Sequence, residues 1–310
     1  MRCHRGGTVT VLCGLLAAGG CGGPAAPAPV PTPGSSGAAI SVVSGDGGSP
    51  VAGAVVSVAG GAPVATDGSG RATIQVASSS EIRIEAPDFF RRDTLFRGEM
   101  HFTLWPIKPE ADAAFAEELV FNRLIADGRL TRPVTNVAFV PLGGLQTDPN
   151  LRTLHTRAAA TLTAALGGAL QYRVAETAGS GEVAIELKVD ASDPFFLSNP
   201  AFQAYTRVIQ QRNRIMSGAI TFRALRDAAS VSLVTHEMGH AFGLGHPEQA
   251  GLMSPATIGR FVDFTAAEKL EMRLMLQRLP GTAPPDDDRA ATASGAHSAS
   301  VVGCPSPEAP

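Results

Sequence analysis

The sequence predicts an α+β protein in which an all-β region precedes a region of mixed helices and strands. From residue 39 to about residue 108, short apolar segments alternate with a period of two and are separated by glycine-rich turns. From residue 109 to residue 280, segments with helical spacing alternate with strand-like segments. The chain has 310 residues, 44% of them hydrophobic, which is enough for one large domain or two medium ones.

The first 20 residues have the layout of an export signal, with a charged start, an apolar run over residues 9–18 and small residues after it. The segment Ala18-Gly19-Gly20-Cys21 resembles a bacterial lipobox, although Ala18 stands where leucine is commoner. Cys21 is therefore a candidate lipidation site, and cleavage by an ordinary signal peptidase is the alternative. We expect an exported protein that is either a cell-envelope lipoprotein or secreted.

Residues 21–38 are almost wholly glycine, proline, alanine and serine, which predicts a flexible linker. No stretch approaches the roughly 20 apolar residues that span a bilayer, so a lipid at Cys21 would be the route to a membrane. The net charge of −3 is too near zero to favour nucleic acid or an anionic membrane surface as a partner.

The all-β region is predicted to form a small sandwich of short strands. The predicted strands are Ile40–Val43, Ala54–Val58, Ala72–Val76 and Ile82–Ile84, and turns such as Asp67-Gly68-Ser69-Gly70 separate them. Residues 49–56, 66–70 and 82–89 resemble a carboxypeptidase-regulatory-like domain, which is a transthyretin-like sandwich often appended to exported enzymes. That resemblance implies a spacer or positioning module over residues 39–108.

The mixed region is predicted to contain four helices and five strands. The helices are Ala111–Ala126, residues 148–166 after the Asp148-Pro149 start, Arg223–Phe242 and the segment from the Thr265–Glu268 capping box to Gln277. The strands are Asn136–Leu142, Tyr172–Ala175, Val183–Val189, Ala204–Gln211 and Ile215–Phe222.

Residues 281–310 are rich in alanine, serine, proline and aspartate and are predicted to form a disordered tail. This tail contains Cys304, which is the only cysteine after Cys21. The folded part is therefore expected to lack both a disulfide and a thiolate metal ligand. Any metal ion would then be held by histidine and carboxylate side chains.

Three of the seven histidines lie in one short segment, from His236 to His246. Residues four apart share one face of a helix, so His236 and His240 can present ring nitrogens to a single point. Gly243 stands where the helix must stop, because glycine takes a positive φ without a steric penalty. The chain can then turn back and deliver His246 from another direction. This arrangement predicts a zinc site with water in the fourth position.

Glu237 lies about 100° around the helix axis from His236 and is predicted to reach the water rather than the metal. Zinc lowers the pKa of its bound water to about 7, and Glu237 can accept the proton as a general base. A His-Glu-x-x-His pattern often arises by chance, whereas the addition of Gly243 and His246 is much rarer. Buried or solvated structural histidines are the alternative explanation.

The histidine segment, together with Leu252-Met253-Ser254-Pro255, resembles the metzincin clan of zinc endopeptidases and most closely the matrixins. The resemblance spans roughly residues 110–280 and implies a mixed sheet with an active-site helix. It implies zinc bound by His236, His240 and His246, with Glu237 as the base and Met253 as the floor below the metal. Three features depart from the family: Ser254 stands where some metzincins have tyrosine, no cysteine-switch propeptide is visible, and no dense Asp/Gly loop of the kind that holds calcium in matrixins is visible.

In that fold the penultimate strand before the active-site helix is an exposed edge that pairs with the substrate backbone. The matching residues here are Ala204, Tyr205, Thr206, Arg207 and Val208. A purely structural strand is the alternative. The implied function is a zinc-dependent endopeptidase of extracytoplasmic proteins or peptides, or one restricted to a single partner or a peptide terminus. A surface lipoprotein that acts as a binding scaffold, with a degenerate or latent protease domain, is the competing hypothesis, although the retention of Glu237 argues against it.

Overall fold

The computed structural model describes residues 36–121, 128–291 and 297–305. The predicted signal peptide, Cys21, nearly all of the linker and the end of the first predicted helix lie outside these residues. The described chain is mixed α and β, in agreement with the predicted fold class. Within the same ranges, no helix is both long enough and apolar enough to span a bilayer.

The N-terminal region consists of seven strands in two small sheets, ordered β4-β1-β7 and β3-β2-β5-β6. The strands are β1 (Ser36–Ser44), β2 (Val55–Val58), β3 (Val64–Ala65), β4 (Arg71–Val76), β5 (Glu81–Glu85), β6 (Arg92–Leu95) and β7 (His101–Leu104). Burial alternates along β4 and β5, as their period-two pattern predicts, so that Ile74, Ile82 and Ile84 lie in a shared core. This agreement confirms the four strands predicted here.

The second region contains seven described helices and six strands. The helices are α1 (Ala113–Leu119), α2 (Gly144–Thr147), α3 (Pro149–Ala165), α4 (Pro194–Ser198), α5 (Leu225–Ala228), α6 (Val231–Phe242) and α7 (Ala266–Leu276). The strands are β8 (Val137–Pro141), β9 (Tyr172–Val174), β10 (Val183–Val189), β11 (Phe202–Gln211), β12 (Arg214–Phe222) and β13 (His297–Pro305).

The six strands form one sheet in the order β13-β11-β12-β10-β8-β9. Strands β9, β8, β10 and β12 are parallel to one another, whereas β11 is antiparallel to both β12 and β13. Helices α3 and α6 contact each other, and α6 also contacts β11 and β12. Phe139, Phe222 and Phe242 fill the core between these elements. The sheet is therefore mixed, and α6 lies beside its antiparallel end.

Capping side chains explain where these helices begin. Asp148 accepts the backbone N–H of Asn150 at 2.8 Å, and Thr265 forms the predicted capping box with Glu268. The single helix predicted over Arg223–Phe242 is wrong, because the segment forms α5 and α6 with Ser230 between them. The Ser230 hydroxyl accepts the N–H of Leu233, and this cap starts a new helix.

The disordered tail predicted over residues 281–310 is wrong for every part that the structure describes. The Arg278 guanidinium donates to both carboxylate oxygens of Asp286, at 2.6 and 2.7 Å, and both side chains are fully buried. Asp288 accepts a hydrogen bond from the Thr94 hydroxyl at 2.5 Å, which attaches residues 286–288 to the N-terminal sandwich. Residues 297–305 form β13. Composition alone missed these contacts because it does not show which polar residues are buried, and Thr94 and strand β11 are distant from the tail in sequence.

Trp105 connects the sandwich to the second region. Its ring is buried between Phe90 and Phe121, with ring centroids 6.2 and 5.8 Å away. Its indole N–H donates to Glu271 Oε2 at 3.0 Å, and burial raises the pKa of Glu271 to about 8. The two regions are therefore joined by a buried contact.

Candidate metal centre

Helix α6 carries two of the three histidines of the sequence motif through the centre of the molecule. All residues from Ser232 to Phe242 are buried, which is typical of a helix surrounded by core on all sides. The helix ends at Gly243, where φ is +112° and a Cβ atom would collide with the Thr131 carbonyl oxygen. Glycine is therefore required at this position for both conformation and space. The turn that it allows leads directly to His246.

The three histidine side chains converge on one point. The Nε2 atoms of His236 and His240 are 3.0 Å apart, those of His240 and His246 are 2.9 Å apart, and those of His236 and His246 are 3.1 Å apart. His236 and His240 are fully buried, and His246 is half-buried. The prediction that these three rings meet at one site is confirmed geometrically.

Backbone carbonyl groups fix the orientation of the two helical rings. The Nδ1–H of His236 donates to the Leu252 carbonyl at 2.6 Å, and that of His240 donates to the Leu244 carbonyl at 2.7 Å. A carbonyl can only accept, so Nδ1 carries the proton and the Nε2 lone pair faces the centre. Burial lowers the pKa of His236 to about 3 and that of His246 to about 4. Neutral imidazoles of this kind are metal ligands.

Cys304 lies at the same point, contrary to the expectation that the folded part lacks a thiolate ligand. Its Sγ atom is 2.9, 3.6 and 3.7 Å from the Nε2 atoms of His236, His240 and His246. The thiol is fully buried, and burial raises its pKa. The four side chains form a group that can hold a metal ion. The prediction failed because β13 brings Cys304 back from the far end of the chain.

Glu237 is fully buried on the side of α6 that faces β11. Its Oε2 atom accepts a hydrogen bond from the Thr206 hydroxyl at 2.5 Å. Its Oε1 atom has no hydrogen-bond partner among the described residues. Burial raises the pKa of Glu237 to about 7, although interactions with the Cys304 thiol and the Thr206 hydroxyl oppose the rise. The carboxyl group therefore lies next to the Cys304 thiol and to strand β11, which carries Thr206.

Met253 packs under the helix between the two ligands. A Cβ atom added at Gly239, which lies between His236 and His240 on α6, would collide with the Met253 sulfur. The Met253 N–H donates to Glu268 Oε1 at 2.7 Å, while the Thr265 N–H donates to Glu268 Oε2 at 2.7 Å. Glu268 therefore fixes the loop whose Leu252 carbonyl holds His236. The capping box revealed Glu268 in the sequence, but not this second contact.

The predicted substrate-binding residues lie on β11, as expected, but β11 is not an exposed edge. Ala204, Tyr205, Thr206 and Val208 are buried, and Arg207 is exposed. Strand β13 pairs with β11 along its length, from Gln211 opposite His297 to Phe202 opposite Pro305. The edge predicted to be open is therefore occupied by the chain itself.

Comparison of the chain with protein-family models and with curated proteins finds no match to either. The assignment of a function to this group therefore depends on the geometry of its own residues. Sequence reasoning missed Cys304 and the hydrogen bond from Thr206 to Glu237. The β-branched pair Val301-Val302 was the available signal for β13.

Proposed function

We propose that the chain is a zinc-dependent endopeptidase that hydrolyses peptide bonds of extracytoplasmic proteins or peptides. His236, His240 and His246 would hold the zinc ion, and Glu237 would act as the general base. The resemblance of residues 236–255 to matrixin-like metzincins supports this proposal. The resemblance of residues 39–108 to a carboxypeptidase-regulatory-like sandwich, and of the N-terminus to a lipoprotein signal, fits an exported or envelope-anchored enzyme.

The donor set fits zinc. Two nitrogen ligands about 2.05 Å from a tetrahedral zinc ion stand about 3.3 Å apart, and a nitrogen and a sulfur ligand stand about 3.6 Å apart. The three Nε2 atoms are 2.9 to 3.1 Å apart, and the Cys304 sulfur is 3.6 and 3.7 Å from two of them but 2.9 Å from the His236 atom, which zinc binding would have to lengthen. Neutral histidines and a thiol are the ligand types that zinc selects in proteins.

The catalytic proposal depends on one observation, which is that the buried Oε1 atom of Glu237 has no hydrogen-bond partner among the described residues. A carboxylate oxygen with no hydrogen-bond partner is costly in a protein interior, and such groups cluster at functional sites. Glu271 also has a bare buried Oε1, but its other oxygen accepts from Trp105 and its role is to join two regions. Among the residues that the structure describes, only Glu237 combines such an oxygen with a place on the helix that carries two of the three converging histidines. A purely structural metal site has no need of this carboxylate.

The roles of the residues follow from their positions. When bound, zinc would supply Lewis-acid activation of water and of a peptide carbonyl. Glu237 Oε1 would accept the proton of the attacking water and deliver it to the leaving amine. The Thr206 hydroxyl donates to Oε2 and so restricts the rotation of the carboxyl group. A pKa near 7 suits a group that must both accept and release a proton.

A second candidate function is a closed structural metal site in a binding scaffold. The observation that favours it is the Cys304 thiol, because four protein ligands leave no open position for water. Structural zinc sites are closed in this way, whereas catalytic sites keep one position open. The catalytic and the structural candidate therefore differ on whether the Cys304 thiol can move away from the metal position.

The test compares zinc content and peptide cleavage in full-length variants. Cleavage of a quenched fluorescent peptide library is measured in a Cys304→Ala background, because the thiol would exclude water. We expect about one zinc per chain with and without Glu237→Gln, and a loss of cleavage of about 100-fold or more in the Glu237→Gln form. His240→Ala in the same background is the control that should lose both zinc and cleavage.

Two results would contradict the proposal. The first is a failure of the Cys304→Ala chain to retain zinc after loading with excess metal. The second is cleavage that is unchanged by Glu237→Gln. Stoichiometric zinc with no cleavage of any peptide would favour the structural site.

A further inference from the structure

Strand β13 covers the surface where an extended polypeptide would bind. It is antiparallel to β11, with Cys304 opposite Ala204, Gly303 opposite Tyr205 and Val302 opposite Thr206. An edge strand offers a row of unpaired N–H and C=O groups to any added strand. In this chain residues 297–305 fill that row, so another polypeptide cannot pair with β11 in the same place.

The same strand delivers the fourth ligand of the metal centre. Cys304 is fully buried, and its sulfur is within 3.7 Å of all three Nε2 atoms. The thiolate is a strong zinc ligand, and with three histidines it completes a tetrahedral set. One segment therefore blocks both the backbone-pairing edge and the position needed for water.

Aromatic rings pack directly against Gly303 of strand β13. A Cβ atom at Gly303 would lie 2.6 Å from Phe195 Cζ and 2.6 Å from ring carbons of Phe202. These rings belong to a cluster in which the Phe195 and Tyr205 centroids are 4.4 Å apart. Only a residue without a side chain can take this position without displacing the rings. The absence of a side chain at Gly303 thus allows the next residue to reach the metal centre.

The burial of β13 side chains is described for residues 299–304. Val302 and Cys304 face the core, whereas Ala299 and Val301 are exposed. It pairs with β11 on one side and has no described strand on the other. A strand that pairs on one side opens more easily than a central strand, which pairs on both.

We infer that residues 297–305 are a built-in occupant of the polypeptide-binding edge, with Cys304 as the fourth metal ligand, which keeps the enzyme latent until the strand leaves. The statement that the enzyme is latent rests on the proposed function, because it presupposes that the chain is a peptidase. The assignment of Cys304 as a ligand is independent of cleavage. Removal of the strand exposes the β11 edge and opens the ligand position in one step.

The test uses zinc- and cobalt-loaded full-length chains with four sequences: wild type, Cys304→Ala, Gly303→Ala and Gly47→Ala. Gly303→Ala keeps the thiol but forces the strand against the rings of Phe195 and Phe202. Gly47→Ala is the matched control, because a Cβ atom there meets nothing within 4 Å. The readouts are the thiolate-to-cobalt charge-transfer band, the alkylation rate of Cys304 measured by peptide mapping, and peptide cleavage.

We expect a thiolate band in the wild type and in Gly47→Ala, a weaker band in Gly303→Ala and none in Cys304→Ala. Alkylation of Cys304 should be about tenfold faster or more in Gly303→Ala than in the wild type, the ratio expected for a steric overlap of this size. Cleavage should rise by a similar factor in both Gly303→Ala and Cys304→Ala. Gly47→Ala should match the wild type in all three readouts.

Two outcomes would overturn the inference and can be told apart. If the wild type lacks the thiolate band and cleaves peptides as fast as Cys304→Ala, β13 inhibits nothing, yet the proposed function stands. If the band is present but no variant cleaves, the proposed function fails, and β13 completes a structural metal site instead.

Discussion

Helix α6 and strand β13 both bring side chains to the metal centre, but they are held in different ways. Every residue of α6 from Ser232 to Phe242 is buried, and backbone carbonyls orient His236 and His240. Strand β13 lies at the edge of the sheet, and its alternate residues face solvent. In the proposed metal centre the helix would therefore supply permanent ligands, while the strand would supply one that can be withdrawn. Under this proposal the helix determines whether a metal ion binds, and the strand determines whether water and a substrate can reach it.

The largest expected effect is on zinc affinity, which should fall much more when a helical histidine is removed than when Cys304 is removed. His240→Ala should weaken zinc binding by more than about 100-fold, because loss of a partner that merely orients a ligand already costs 10- to 100-fold. Cys304→Ala should weaken it by only about tenfold, because ordering β13 offsets part of the benefit of the thiolate. Competition with a chromophoric chelator measures both values. Equal losses would contradict the distinction between the two regions.

A smaller effect is expected from the loop that supports the helical ligands. Glu268→Gln places an amide N–H against the N–H of Met253 or Thr265, which both donate to the carboxylate in the wild type. Leaving one buried donor without an acceptor should lower the free energy of unfolding by about 1–3 kcal/mol. Urea denaturation measures this change, and Glu110→Gln on the exposed surface is the control. If Glu268→Gln is as stable as the control, Glu268 does not stabilise the loop that carries Leu252 and Met253.

The smallest effect tests whether the strand opens separately from the helix. Val302→Ala removes two buried carbon atoms, worth about 1.5 kcal/mol, and should speed hydrogen exchange of the β13 amides by about tenfold. Amides of α6 should be unaffected. Val301→Ala, on the exposed face of the same strand, is the matched control and should change neither set. Equal acceleration in α6 would mean that the strand and the helix open together.

The same contrast explains what could be predicted from the sequence. The histidine site depends on the spacing between His236 and His240 and on the helix end at Gly243. Because these features lie within a few residues of one another, each histidine of the site could be predicted from the sequence. The start of α6 was missed because the pattern of apolar residues continues across the cap at Ser230. Strands β8, β10 and β12 were found for the same local reason, within a few residues of their observed bounds.

The position of Cys304 could not be predicted in the same way. It lies 58 residues after His246, and its pairing with β11 depends on contacts between distant segments. The surrounding residues are polar and small, so composition favoured a disordered tail. The buried pair of Arg278 and Asp286 was missed for a different reason, because charged residues that pair in the core look like solvated residues in the sequence.

X-ray absorption spectroscopy of the zinc-loaded full-length chain tests the central claim most directly, since it counts the ligand atoms around the metal. We expect one zinc per chain with three nitrogen ligands at about 2.0–2.1 Å and one sulfur ligand at about 2.3 Å. In Cys304→Ala the sulfur should be replaced by an oxygen, with the three nitrogens retained. A wild-type spectrum without sulfur, or with fewer than three nitrogens, would contradict a centre built from three permanent histidines and one removable thiolate.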